Sequence, residues 1–154
     1  MVAGMKTLYR PNVAAILEDG EGRILVGERV DVEGAWQFPQ GGIDDGESEE
    51  EALEREVEEE LGVGAELYEV VEQRGGYRYR FAGNRIKHGK YHGQQQVYFR
   101  CRYKGGDGDF DLDAHKREFA QLKWIRPEEF ELAWVPEFKK AVYAAVLRDF
   151  YGAA

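Results

Sequence analysis

A chain of 154 residues, 43% hydrophobic and 13% aromatic, is long enough to bury a core without staples and too apolar to remain disordered. Its net charge of −9 argues against indiscriminate binding to nucleic acid, and its single cysteine, Cys101, excludes an internal disulfide and fits a reducing compartment. One domain over 1–154, soluble and cytoplasmic, is the expectation: "MVAGMKTLYR" lacks the apolar run of a signal peptide, and no stretch approaches membrane-spanning length.

"NVAAILED" and "RILVGER" read as two strands joined by the turn "EDGEG". "WQFPQGG" leads into a glycine-rich loop ending at Ser48, an N-cap with Glu51 three residues on. The helix that follows is expected to run to Leu61 and stop at Gly62. "AELYEVVEQR", "YRYRF" and "QQQVYFRCRY" read as further strands. In the last of these Cys101 alternates with Val97, Phe99 and Tyr103, which marks a core thiol rather than a nucleophile. "GGDGDFDLDAH" is a polar loop and "FAQLKWI" a short strand. A final helix begins around Pro136, suited to a first helical position, and continues to about Tyr151. Strands mixed with two well-separated helices give an α/β or α+β sandwich.

Charge is unevenly spread along these elements. No acidic residue lies between Glu72 and Asp107, yet nine of the 21 Lys and Arg do: Arg74, Arg78, Arg80, Arg85, Lys87, Lys90, Arg100, Arg102 and Lys104. Elsewhere 12 basic residues face 30 acidic ones. Such a stripe suits a polyanionic ligand held locally, and equally a strand pair with a solvated cationic face. Tyr77, Tyr79, Phe81, Tyr91 and Tyr98 interleave it as base-stacking surfaces do, although core packing accounts for several of them as well.

Nine of the fourteen residues from Glu47 to Glu60 are glutamates, and like charges three and four apart on a helix repel. On a wheel at about 100° per residue, Leu53, Val57 and Leu61 form the apolar stripe, while Glu51, Glu54 and Glu58 point to water. Glu56, Glu59 and Glu60 instead cluster at the edge of the core. Three converging carboxylates are costly there unless a cation neutralises them, and hard oxygen ligands suit Mg²⁺ or Mn²⁺.

Gly41, Glu47, Arg55-Glu56-Val57, Glu59-Glu60 and Gly62-Val63 match every defined position of the 23-residue box of the Nudix hydrolases, which this stretch resembles. The resemblance implies an α/β/α sandwich with a mixed sheet and a loop-helix-loop that cleaves diphosphate linkages of nucleosides. It also implies that Glu56, Glu59 and Glu60, with the backbone carbonyl near Gly41, hold divalent metal, and that Arg55 pairs with Glu47 to hold loop against helix. Glu60 is then the first candidate for the base. Glu118 in "HKREF" is the second, or an additional ligand.

The flanks "YRPNVAAIL", "WQFPQGG", "GQQQVYF" and "VPEFKKAVYAAVLRDF" are similar to bacterial RNA pyrophosphohydrolases, also described as dinucleoside polyphosphate hydrolases, from about Tyr9 to Phe150. That likeness implies phosphate contacts from Arg10, Gln40, Gln94 and Lys139, and base contacts from Arg29 and Phe138. It implies as substrate an RNA 5′-triphosphate end or diadenosine tetraphosphate, with no membrane and no DNA expected; it points to no protein partner. The acidic remainder should limit sequence-independent binding to long duplexes. Hydrolysis of damaged nucleoside triphosphates is a third reading. A nucleotide sensor without catalysis is a fourth, but it has no chemical need for a complete set of box carboxylates.

Overall fold

Alternation along the first strand sets the layers. In the computed structural model, which describes residues 7–83 and 85–152, β1 (Tyr9–Glu18) sends Val13, Ala15 and Leu17 to one face of the sheet and Ala14 and Ile16 to the other. The first face is covered by Ala52, Leu53, Val57 and Leu61 of α1 (Glu49–Leu61), the second by Val142, Tyr143, Val146 and Leu147 of α2 (Glu137–Tyr151). The architecture is the expected α/β/α sandwich. Residues 1–6, read above for a targeting segment, lie outside the described residues, and no described helix is long and apolar enough to cross a membrane.

The remaining strands are β2 (Ile24–Arg29), β3 (Trp36–Gln37), β4 (Gln40–Gly42), β5 (Tyr68–Arg80), β6 (Gly93–Tyr103) and β7 (Phe119–Ile125). They form one mixed sheet in the order β3-β2-β1-β6-β5, with β4 also on β1 and β7 on β2. β1 and β6 run parallel from Tyr9–Gly93 to Glu18–Arg102, and the other pairings are antiparallel. On the α2 face the core is aromatic: Phe38 stacks on Tyr143 at 5.5 Å and meets Tyr98 edge-on at 6.1 Å.

Four expectations change. "YEVVEQR" and "YRYR" belong to one strand, preceded by a 3-10 turn at Ala65–Leu67, because register shifts at Val70/Glu72 and Arg74/Tyr77 absorb the break and Gly76, at φ 88°, permits the second. Tyr77, Tyr79, Phe81 and Tyr98 are buried in the α2-side core, so they are not stacking platforms for a ligand. Pro136 is the N-cap of α2 rather than its first helical residue. "WQFPQGG" holds two very short strands, β3 and β4, rather than only a lead-in to a loop. Cys101 is the core thiol expected: it is fully buried, and desolvation pushes its pKa up to about 12.

Candidate active site

The site forms where the sheet forks. β1 keeps β2 as a neighbour only at Glu18–Ile24, and beyond that point residues 36–42 fill the gap. β3 pairs with β2, β4 pairs with β1 through Asn12–Ala14, and Ala15 N–H donates to the Pro39 carbonyl at 2.9 Å. This carries Gln40 and Gly41 to the last turns of α1, where Gln40 N–H donates to Glu60 Oε2 at 3.2 Å. Gly41 has to lack a side chain, since a Cβ there would run into the Glu56 carboxylate.

Local signals hold α1 in place. Ser48 and Glu51 form a reciprocal capping box, and Glu49, Glu50 and Glu51 lie at the favourable end of the helix dipole. Gly62 closes the helix at φ 73°; Asp111 N–H then donates to the Leu61 carbonyl at 2.9 Å, which docks the loop leading to Glu118 on the end of α1.

Arg55 clamps the preceding loop. Its Nε and Nη2 donate to Glu47 Oε2 and Oε1 at 2.7 and 2.8 Å, and Nη2 also donates to the Gly42 carbonyl at 2.8 Å. Bidentate pairing to a guanidinium, helped by the Asp44 N–H, holds Glu47 down at about 2.

Glu60 is the only charged residue buried among the described residues, with 5% of its surface exposed. Desolvation, then Glu56, then Glu118 raise its pKa well above the usual carboxylate range, and desolvation also raises Glu56. Two carboxylates this close cannot both stay anionic without a proton or a cation between them. The third member stands apart. Glu59 turns toward Arg55 Nη1 at 3.4 Å, and the same nitrogen donates to Glu56 Oε1 at 2.7 Å. Among the described residues no three His, Cys, Asp or Glu side chains stand together as a finished metal shell.

The NUDIX domain model matches residues 8–146. This chain belongs to the Nudix hydrolase family. It is 41% identical over 150 residues to the RNA pyrophosphohydrolase of Erythrobacter litoralis, covering 92% of this chain and 90% of the relative. Over 149 residues it is 42% identical to that of Novosphingobium aromaticivorans, covering 92% of each. A C. elegans Ap4A hydrolase binary complex shares the fold at a TM-score of 0.63 and 20% identity, covering 92% of this chain and 96% of that one.

Nudix hydrolases generally need divalent metal ions, and the donor set fits one. Glu56 and Glu60 form a desolvated, mutually repelling carboxylate pair, and Gly41 leaves the space beside them that a Cβ would fill. Around this pair the Nudix domain opens a cleft of about 660 Å³. Glu56, Glu59, Glu60 and Glu118 line it on the acidic side; Arg10, Arg29, Lys87 and Lys139 supply the basic side, with Gln40 and Gln94 between. Arg10 lies against Gly42, where a Cβ would collide with its guanidinium, and its Nη1 is 3.1 Å from His88 Nε2. Gln40 Oε1 accepts from Asn12 Nδ2 at 2.9 Å, and Asn12 Oδ1 accepts from Gln96 at 3.0 Å, a buried chain that fixes the amide's direction. Arg29 forms a fork with Asp31 at 2.9 and 2.6 Å. Lys139 is lowered from 10.5 to about 8 by burial and by the charges of Arg29 and Lys87.

Phe138 is placed otherwise than expected. It does not line the cleft; its ring packs 5.6 Å from Tyr79 and 6.5 Å from Phe81, on the edge of the α2-side core. Consecutive helical residues point about 100° apart, so with Lys139 turned to the cleft Phe138 faces β5. Glu58 is half exposed, as the wheel implied, but it is paired with His115 Nε2 at 2.6 Å. The sequence reading missed His115 and Lys116, which line the cleft from the Glu118 loop, and did not single out Lys87 within its basic stripe. Glu58 and His115 carry no spacing signal, because a long loop brings them together.

Proposed function

We propose that this Nudix hydrolase removes pyrophosphate from the 5′-triphosphate end of RNA, the step that opens a transcript to decay. One observation carries the reading: a single cleft sets a desolvated carboxylate pair against Arg10, Arg29, Lys87 and Lys139, and the relatives at 41% and 42% identity are named for that activity. Glu56, Glu59, Glu60 and the Gly41 carbonyl would hold Mg²⁺, with Mn²⁺ as a substitute and Glu118 as a further carboxylate. When bound, the ion neutralises phosphate oxygens and lowers the pKa of an attacking water.

The chain's own groups do the rest. Glu60 stands first as the carboxylate that takes the water's proton, and Glu118 second. Arg10, Gln40, Gln94 and Lys139 donate to the phosphate chain and fix it for attack. Arg29 holds the first base, and Phe138 backs Lys139 from the core side. Arg55 acts through Glu47 and the Gly42 carbonyl, keeping the loop carbonyls at the carboxylates.

The test is turnover with Mg²⁺ on 5′-triphosphate RNA, diadenosine tetraphosphate and free nucleoside triphosphates side by side. The highest kcat/KM is expected on RNA. Turnover confined to either small substrate would reassign the enzyme.

A further inference from the structure

The basic stripe divides in two. At one end three of its cations are paired: Arg74 with Glu72 at 2.7 Å, Arg100 with Glu18 and Glu72 at 2.9 and 3.1 Å, and Arg102 with Glu69 at 3.6 Å. These pairs belong to the sheet. At the other end Arg80, Arg85, Lys87 and Lys90 have no carboxylate partner among the described residues. Arg80 ends β5, opposite Gly93, and the other three lie in the tip of the β5–β6 hairpin, which Phe81 N–H to the His92 carbonyl at 2.8 Å and Lys87 N–H to the Tyr91 carbonyl at 2.9 Å hold closed.

This tip reaches the cleft. Lys87 lines it, and His88 touches Arg10 at its wall. Arg85 and Lys90 stand two and three residues from Lys87, within about 11 Å at full extension. Ile86 between them is 55% exposed, the most exposed large apolar side chain among the described residues. Lys87 and Lys90 lie over the rings of Phe81 and Tyr91 at 4.8 and 5.2 Å, so their charges meet no carboxylate. Cations without a carboxylate, beside a bare apolar group, would meet the phosphates and an unstacked base of a single strand.

We propose that Arg80, Arg85 and Lys90 bind the phosphodiester backbone of the RNA downstream of its 5′ end, so that the hairpin tip selects a polynucleotide over a mononucleotide or dinucleotide. The proposal rests on the function read above, and it assigns these residues no part in the chemistry. Sequence preference is not expected, because contacts to phosphate carry none.

The test compares the wild type with the triple variant Arg80→Gln, Arg85→Gln, Lys90→Gln on a triphosphorylated dinucleotide and a triphosphorylated 12-mer. The 12-mer should lose roughly tenfold in kcat/KM and the dinucleotide less than about twofold, while the salt slope on the 12-mer becomes shallower by about 2. Equal losses at both lengths, or none at either, overturn the proposal. A second arm measures binding of a 5′-hydroxyl 12-mer RNA by fluorescence anisotropy, which needs no turnover. A roughly tenfold rise in Kd supports the surface even if the wild type fails to hydrolyse RNA, an outcome that would sink the function alone. An unchanged Kd rejects the surface.

Discussion

Lys139 has Arg29 and Lys87 as charged neighbours and is partly withdrawn from water, and both effects favour its neutral form at about 8 against 10.5. The folded state therefore binds this proton more weakly than the unfolded chain does. Its charge costs stability below about pH 8, and that cost fades as pH rises toward 10.5. For catalysis the sign reverses, since only the ammonium attracts phosphate. The kcat/KM profile should fall above about pH 8, and Lys139→Arg, which keeps its charge, should move that limb upward. A descending limb unmoved by the substitution would remove Lys139 from substrate binding. Glu60→Gln should lower kcat by at least about 10²-fold in a saturating-Mg²⁺ assay. Near-normal turnover would take Glu60 out of the reaction. Glu54→Gln is the fitting control because Glu54 is exposed; Glu58 is less suitable, as its loss would release His115 from the cleft wall. Helical period alone makes the depth of Glu60 legible in the sequence. The partner of Glu58 is not, because it comes from another element.

Among the elements, α1 is fully readable, since its cap, its apolar stripe and its terminating Gly62 all lie within fifteen residues of one another. β3 and β4 are not. They have two and three residues, too few for alternation to appear, and exist because the fork between β1 and β2 offers them partners. The same dependence on neighbours decides Phe138. α2 is legible as a helix, but which of its residues meets the cleft depends on how it lies across β5. The packing against Tyr79 and Phe81 predicts that Phe138→Ala costs about 2 kcal/mol, less than a fully buried Phe because the residue is only half-buried. At temperatures where the variant stays folded, kcat/KM on RNA should fall only a few-fold, through Lys139. An unchanged melting temperature with a loss of ten- to a hundredfold on RNA would instead put the ring against a base.

Over the whole molecule the net charge of −9 is deceptive, because the carboxylates of α1 and the cations Arg10, Arg29, Lys87 and Lys139 line one opening. The stability of the fold and the occupancy of the site should therefore be coupled. Without a cation Glu60 holds its proton more tightly folded than unfolded, since burial and Glu56 both disfavour its charge. A carboxylate raised in this way costs stability as pH climbs above its ordinary 4.5, because the unfolded chain then binds fewer protons. A divalent cation replaces the proton and removes that cost. Mg²⁺ should raise the melting temperature, and by more as the pH climbs further above 4.5. At a hundred times its Kd the gain is about 2.7 kcal/mol, or roughly 5–11 °C for a chain of this size. Glu60→Gln removes the more deeply buried of the two raised carboxylates and leaves Glu56, so its rise should be smaller and less dependent on pH. Thermal melts of the two proteins at pH 6 and 8, with and without Mg²⁺, measure this directly. A wild-type shift that shrinks at pH 8, or a variant shift equal to that of the wild type, would mean that the ion binds away from the Glu56–Glu60 pair.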